Sequence, residues 1–179
     1  MSGHSKWSQI KRAKGAADAA RSKLFGKLGR LIAVASKKCK GDMNAPELRA
    51  AILKAKAENM PKDTIERAVK KGMGADASSM ESLLYEAYGA GGAAILIEVL
   101  TDNRNKAAAE IKHILTKNGA SLGAPGSALW AFEKGAEGYE AKNEVPLSKE
   151  DSVALIKLME ELEENDEVQE VYTNAEFSL

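Results

Sequence analysis

Leu83-Leu-Tyr-Glu-Ala-Tyr88, Gly89-Ala-Gly-Gly92 and Ala93-Ala-Ile-Leu-Ile-Glu-Val-Leu100 form one continuous stretch, two apolar runs around a glycine-rich break. Each run is too short for a typical helix and is bounded by turn residues, which predicts two strands around a turn. The second run is apolar on nearly both faces, so it should be a central strand, covered on both sides. Gly89–Gly92 has the composition of a phosphate cradle but leads into a strand, not a helix. The helix dipole and free N–H groups of such a cradle are missing, and a tight turn explains the glycines better.

On the C-terminal side the period alternates. Arg104 to Asn118 predicts a helix with Ala107, Ile111, Ile114 and Leu115 inward and Gly119 as its cap. Ser127 to Lys134 predicts a strand carrying Trp130 and Phe132 on one face. Ser148-Lys-Glu-Asp151 predicts the cap of a last helix reaching about Glu164, and Val168 to Thr173 a closing strand. The order β-β-α-β-(β)-α-β implies an antiparallel or mixed sheet with helices on one side.

On the N-terminal side, Met73 to Ser79 (MGADASS) reads as a linker, and before it the pattern is helical. Leu24, Phe25, Leu28, Leu31, Ile32 and Ala35 recur at three- and four-residue steps in a helix from Ala17 to Lys40, with Gly41 as a C-terminal cap. Asn44-Ala-Pro-Glu47 resembles a capping box before Leu48, Ala51, Ile52 and Ala55. A third helix opens at Pro61, packs Ile65, Ala68 and Val69, and stops at Gly72. Met1 to about Ala16 has no sustained apolar period and reads as a basic arm. The expected fold is therefore α+β: an N-terminal three-helix bundle followed by an α/β sandwich domain with a mixed or antiparallel sheet. The expected domains are 1–78, basic and helical with its arm, and 79–179, acidic and α+β.

A net charge of zero over 179 residues hides a strong asymmetry. Met1 to Gly72 holds eighteen Lys and Arg against six Asp and Glu, and the remainder eight against twenty. A folded basic half inside a neutral protein points to a polyanionic partner. From Met1 to Lys40 one acid, Asp18, faces eleven bases. At 100° per residue, Lys23, Lys27, Arg30, Lys37 and Lys38 fall within about 100° of one another, well away from the apolar stripe. Solvated helix faces usually mix signs, because opposite charges four apart support the helix. A one-signed face is costly unless phosphates neutralise it, which favours nucleic acid over a merely soluble surface. A membrane is the weaker rival, since the opposite face lacks interfacial tryptophan.

Trp7, between Lys6 and Lys11-Arg12, has two roles open to it: stacking on an unpaired base, or anchoring the arm to the bundle, with anchoring slightly favoured. His4 is a phosphate contact, a cap or neither. Lys62, Arg67, Lys70 and Lys71 form a second basic cluster, diluted by Asp63 and Glu66.

Other chemistry lacks its parts. His4 and His113 lie in different predicted domains and Cys39 is the one cysteine, so no metal-site spacing exists. There is no nucleophile elbow and no Walker-type loop. No catalytic residue, metal, cofactor or small-molecule substrate is expected. The N-terminus has no apolar secretory stretch, no run is long enough to span a bilayer, and a lone cysteine suits a reducing compartment, so a cytoplasmic protein is expected. The acidic run Glu160–Glu167 reads as a solvated helix end. A protein-only adaptor using the acidic domain is the rival class.

Several segments together resemble the YebC/PmpR family, which includes relatives of the mitochondrial translational activator of cytochrome c oxidase. They are Gly3-His4-Ser5-Lys6-Trp7, then Ile10-Lys11, Lys14, Asp18, Arg21, Lys23, Phe25, Lys27-Leu28 and Arg30. Asn59-Met60-Pro61-Lys62-Asp63, Tyr85-Glu86-Ala87-Tyr88-Gly89, Leu100-Thr101-Asp102-Asn103-Arg104-Asn105 and Phe132-Glu133-Lys134 extend the likeness. The resemblance implies a DNA-binding transcriptional regulator, or alternatively a ribosome-associated translation factor that binds ribosomal RNA and eases difficult sequences such as proline runs. Ala90 stands where the family usually has proline. The family usually carries a further domain between the Phe132–Lys134 strand and the strand before Val145, where this chain has only Gly135 to about Tyr139, so it resembles a shortened member. Lys6, Lys11, Arg12, Lys14, Lys23, Lys27 and Arg30 are the expected phosphate contacts. Arg21 and Trp7 complete the N-terminal candidates, and Arg104 and Lys106 extend the surface.

Overall fold

The computed structural model describes residues 7, 9–10, 18–75, 80–136 and 138–179, with side chains for all of these except 18–20. The chain divides into two compact units. One is Ala17–Ser82 with Leu100–Arg104; the other is Leu83–Val99 with Asn105–Leu179, joined by the described residues of the N-terminal segment.

The helical unit contains α1 (Asp18–Lys38), α2 (Pro46–Ala57) and α3 (Lys62–Met73). Leu28, Ile32 and Ala35 of α1 pack with Leu48, Ala51, Ile52 and Ala55 of α2 and Ile65, Ala68 and Val69 of α3. These are the apolar positions that the helical period picks out, and their burial is the main stabilising term. Gly41 closes α1, its N–H donating to the Ser36 carbonyl at 2.9 Å. The predicted capping box at Asn44 does not form. Ala45 is the N-cap of α2 and offers no side-chain hydrogen bond. Asn44 instead donates its backbone N–H to Asp42 Oδ1 at 2.9 Å. That local turn competes with the cap, and Pro46 at the helix start removes one N–H that would need it.

One apolar stripe does not describe the whole of α1. Ile32, Ala33, Val34, Ala35 and Ser36 are all buried, so the helix is enclosed on every side there. One cause is a close crossing with α3. Ser36 Oγ donates to the Val69 carbonyl at 2.8 Å. A Cβ placed on Gly72 would lie 2.7 Å from Ser36 Cβ and closer still to the Ala33 carbonyl oxygen. Backbone cannot swing aside as a flexible side chain can. Gly72→Ala should therefore destabilise the helical unit by about 2 kcal/mol, even after the ~1 kcal/mol that alanine gains over glycine in a helix. Denaturant unfolding followed by helical circular dichroism checks this, and an unchanged midpoint would contradict the close crossing.

The other unit is built on a four-stranded sheet of β1 (Glu81–Tyr88), β2 (Ala94–Thr101), β3 (Ser121–Leu122) and β7 (Val168–Thr173). Their order across the sheet is β3-β1-β2-β7. The apolar run quoted first is β2, a central strand as expected. It pairs antiparallel with β7, Leu96 opposite Tyr172, with an irregularity between Glu98 and Val99. The turn before it is a short 3-10 segment, Ala90–Gly92, in which Gly91 and Gly92 have φ of 67° and 78°. Such angles suit glycine, which explains the composition without a phosphate.

Helices α4 (Arg104–Lys117) and α5 (Lys149–Glu164) supply Ala107, Ile111, Leu115, Leu155, Leu158, Met159 and Leu162 to a core with Ile95, Ile97, Val99 and Val171. Ser148 caps α5 as its spacing predicts, its side chain accepting from the Asp151 N–H at 3.1 Å. The rest of the sheet's core gathers Ala94, Leu96 and Tyr172 with Ala128, Ala131 and Phe132. The segment carrying these last three contains the hairpin of β4 (Phe132–Gly135) and β5 (Gly138–Ala141). Here the expected strand from Ser127 is corrected. Leu129–Ala131 is a 3-10 turn, Phe132 is buried, and Trp130 is exposed. Finally β6 (Val145–Pro146) and β8 (Ala175–Glu176) pair in parallel.

Candidate nucleic-acid interface

Helix α1 carries the cations to which the sequence points. Arg21 and Lys23 are exposed, whereas Lys27, Arg30 and Lys37 are half-buried. The half-burial has identified causes. Arg30 Nη1 donates to the Leu100 carbonyl at 3.3 Å. Lys37 Nζ donates to the Met80 carbonyl at 3.2 Å. These two cations flank the buried Val34 and hold down the segments where β1 begins and β2 ends. Lys38 is exposed and sits 3.8 Å from Glu47. The expected uniform ridge is thus corrected: it is open at Arg21 and Lys23, and its later members take on structural work.

Arg104 belongs to the same unit as α1 and pairs with Glu81 at 3.1 Å. Lys106 belongs to the sheet unit and sits 3.8 Å from Glu110, one turn on. Both pairs are solvent-exposed, so each contributes about 0–1 kcal/mol. Lys62, Arg67, Lys70 and Lys71 of α3 are exposed too, with Lys62 3.8 Å from Glu66. His4, Lys6, Lys11, Arg12 and Lys14 lie outside the described residues.

Trp7 departs from both expectations. Its side chain has no exposed surface and belongs to the core of the sheet unit, with Ile10 packed against the same core. The indole N–H donates to Glu163 Oε1 of α5 at 3.0 Å. A ring enclosed in this way is not presented to a base, and the core that holds it is not that of the three-helix bundle.

A further residue, Glu86 of β1, organises the sheet unit and has no local sequence signature. Its carboxylate accepts from the N–H groups of Gly126, Ala128 and Leu129 at 2.6, 2.7 and 2.7 Å. Burial pushes this carboxyl up, but the three backbone donors outweigh burial and hold it below its ordinary value of 4.5. A folded-state value below the unfolded one stabilises the fold fully above pH 4.5, and that contribution drains away as pH falls through the lowered value. The sheet unit should therefore lose stability more steeply on acidification than a Glu86→Gln variant does, as read by melts taken between neutral pH and about pH 3. Parallel acid profiles would contradict the assignment. The pinned loop displays Trp130, whose Nε1 donates to the Ser127 carbonyl at 2.8 Å and to Tyr88 Oη at 3.0 Å.

Among the described residues, no three His, Cys, Asp or Glu side chains gather to hold a metal ion, and no helix is long and apolar enough to cross a membrane. Fold and site together define a two-unit α+β protein, one unit a three-helix bundle with a basic first helix, the other a helix-backed sheet. The chain belongs to the TACO1/YebC family. Residues 5–75 match the TACO1/YebC protein N-terminal domain, and residues 80–137 and 136–175 match the TACO1/YebC second and third domain. The break in the second match falls in the β4–β5 connection, where Gly135 pairs with Gly138 and the resemblance placed a missing domain.

A probable transcriptional regulatory protein of Syntrophobacter fumaroxidans is 47% identical over 98% of this chain and 72% of its own length. One of Treponema denticola is 56% identical over 79% of this chain and 59% of its own length. This chain thus spans roughly three-fifths to three-quarters of such relatives. A conserved hypothetical protein from Aquifex aeolicus has the same fold, with a TM-score of 0.83 and 30% identity over 90% of this chain and 93% of its own.

Proposed function

We propose that this protein regulates gene expression in the cytoplasm by binding DNA through the phosphate backbone, with α1 as the principal contact and no catalytic step. The observation that carries the reading is the open end of the basic helix. Arg21 and Lys23 are exposed and Lys27 half-exposed, in a stretch where one acid accompanies eleven bases between Met1 and Lys40. Phosphate contacts of this kind supply affinity and orientation, and release the counterions condensed on the duplex. The relatives' description as probable transcriptional regulatory proteins supports the same reading.

Crosslinking in cells followed by sequencing of the bound nucleic acid tests it. Recovery of discrete chromosomal sites is the expected result. Recovery of ribosomal RNA alone would move the same surface to translation, and recovery of protein partners that survive nuclease treatment would replace it with an adaptor.

A further inference from the structure

Helices α1, α2 and α4 end in the same way. At the close of α1, Lys40 donates its N–H to the Lys37 carbonyl at 3.3 Å and Gly41 donates to that of Ser36 at 2.9 Å. At the close of α2, Asn59 donates to Lys56 and Met60 to Ala55, both at 3.0 Å. At the close of α4, Gly119 donates to Thr116 at 3.1 Å and Ala120 to Leu115 at 2.8 Å. The first residue of each pair takes a left-handed backbone, with φ of 53° at Lys40, 61° at Asn59 and 72° at Gly119.

Glycine and asparagine adopt that backbone most readily, and α4 and α2 use them. At α1 the place is held by lysine, whose Cβ crowds the carbonyl that follows it. The bonds that close the helix come from the backbone and call for no particular side chain. A lysine kept there against the preference of the backbone is kept for its ammonium group. Cations near a helix C-terminus offset the negative end of its dipole, but Lys37 and Lys38 already stand in the last turn of α1.

Lys40 is exposed. Its neighbour Gly41 lies against α3, where an added Cβ would run into the Met73 sulfur. Lys70, also exposed, is three residues before Met73 on α3 and shares its face. Lys40 and Lys70 thus flank one contact within the helical unit. Among the described residues no acid pairs with either. Asp42 Oδ1 accepts from the Asn44 N–H at 2.9 Å, and Glu66 sits 3.8 Å from Lys62. We propose that Lys40 and Lys70 form a second phosphate-binding site, at the close of α1, for the backbone of a nucleic acid. The inference rests on the DNA-binding reading above and adds to it a contact at the far end of the same helix.

Lys40→Gly removes the cation and relieves the backbone at once, so fold and binding should move in opposite directions. The variant should melt about 3 °C above the parent. It should bind a duplex of about 20 base pairs about fivefold more weakly at ~100 mM salt. Each lost contact removes about 0.9 from the slope of log affinity against log salt, so Lys40→Gly with Lys70→Gln should remove about 1.8. Lys40→Arg keeps the charge and should bind within about twofold of the parent. A Lys40→Gly variant that melts below the parent would show that the side chain serves the fold, and would overturn the site. Unchanged affinity and slope in the double variant, beside a parent that binds in a salt-dependent way, would overturn the site and leave the DNA-binding reading intact. A parent that binds no nucleic acid at any salt concentration removes that reading, and the site with it.

Discussion

Replacing Arg21, Lys23 and Lys27 together with glutamate should weaken binding to duplex DNA by at least about a hundredfold at ~50 mM salt, without weakening the fold. Each phosphate neutralised contributes about 0.9 to the slope of log affinity against log salt, so three lost contacts remove about 2.7 from it. Reversal goes further than removal, because three carboxylates would then face the phosphates. Stability should hold for two reasons. Arg21 and Lys23 are exposed and Lys27 only half-buried, and glutamate has a helix propensity close to that of Lys and Arg. Acidic groups near the start of α1 also suit its dipole, since the helix begins at Asp18. The triple variant should thus melt with the parent while failing to shift DNA in an anisotropy titration. Arg30 is left out because its bond to the Leu100 carbonyl gives it structural work, and changing it would mix the two effects. Retained affinity would show that α1 is not the contact.

Glu86→Ala should destabilise the sheet unit strongly, costing about 3–5 kcal/mol. Three backbone N–H groups lose a charged acceptor at once, and the N–H of Ala128 is buried beyond the reach of water. An unsatisfied buried donor costs about 1–3 kcal/mol, and a cavity adds to it. Glu86→Gln keeps one acceptor oxygen but turns an NH2 group toward the donors, so it should cost about half as much. The loss should appear as a lower transition of the sheet unit in calorimetry, with the Trp130 environment changing first because that loop is pinned to the carboxylate. A variant that melts with the parent would mean the three hydrogen bonds contribute little net stability.

Local pattern made much of this fold legible. The three- and four-residue steps of α1, α2 and α3 report the burial of Leu28, Leu48 and Ile65 because period and packing coincide there. The run Ala93–Leu100 announces a central strand because both its faces are covered. Ser148 announces a helix start because its hydroxyl answers an N–H only three residues on.

What escaped local reading depends on partners remote in the chain. Glu86 finds its first donor 40 residues away, and Trp7 its acceptor 156 away. Helical spacing puts Arg30 and Lys37 on a cationic face but cannot foresee that the Leu100 and Met80 carbonyls will meet them. The run Ser127–Lys134 has the alternation of a strand, yet the Glu86 carboxylate satisfies the backbone of Ala128 and Leu129 in place of a ladder, leaving a 3-10 turn with Trp130 outside. The excess of positive charge along α1 was legible from the sequence, but which of its cations stay exposed was not, because that depends on the remote Leu100 and Met80 carbonyls.

Whether phosphates neutralise these cations is read from the salt dependence of DNA binding. Log affinity should fall linearly with log salt, with a slope close to that for six phosphate contacts, or about a thousandfold loss between ~50 and ~200 mM. Affinity that stays level across that range would mean that these cations do not meet phosphates, and DNA binding through the phosphate backbone would be excluded.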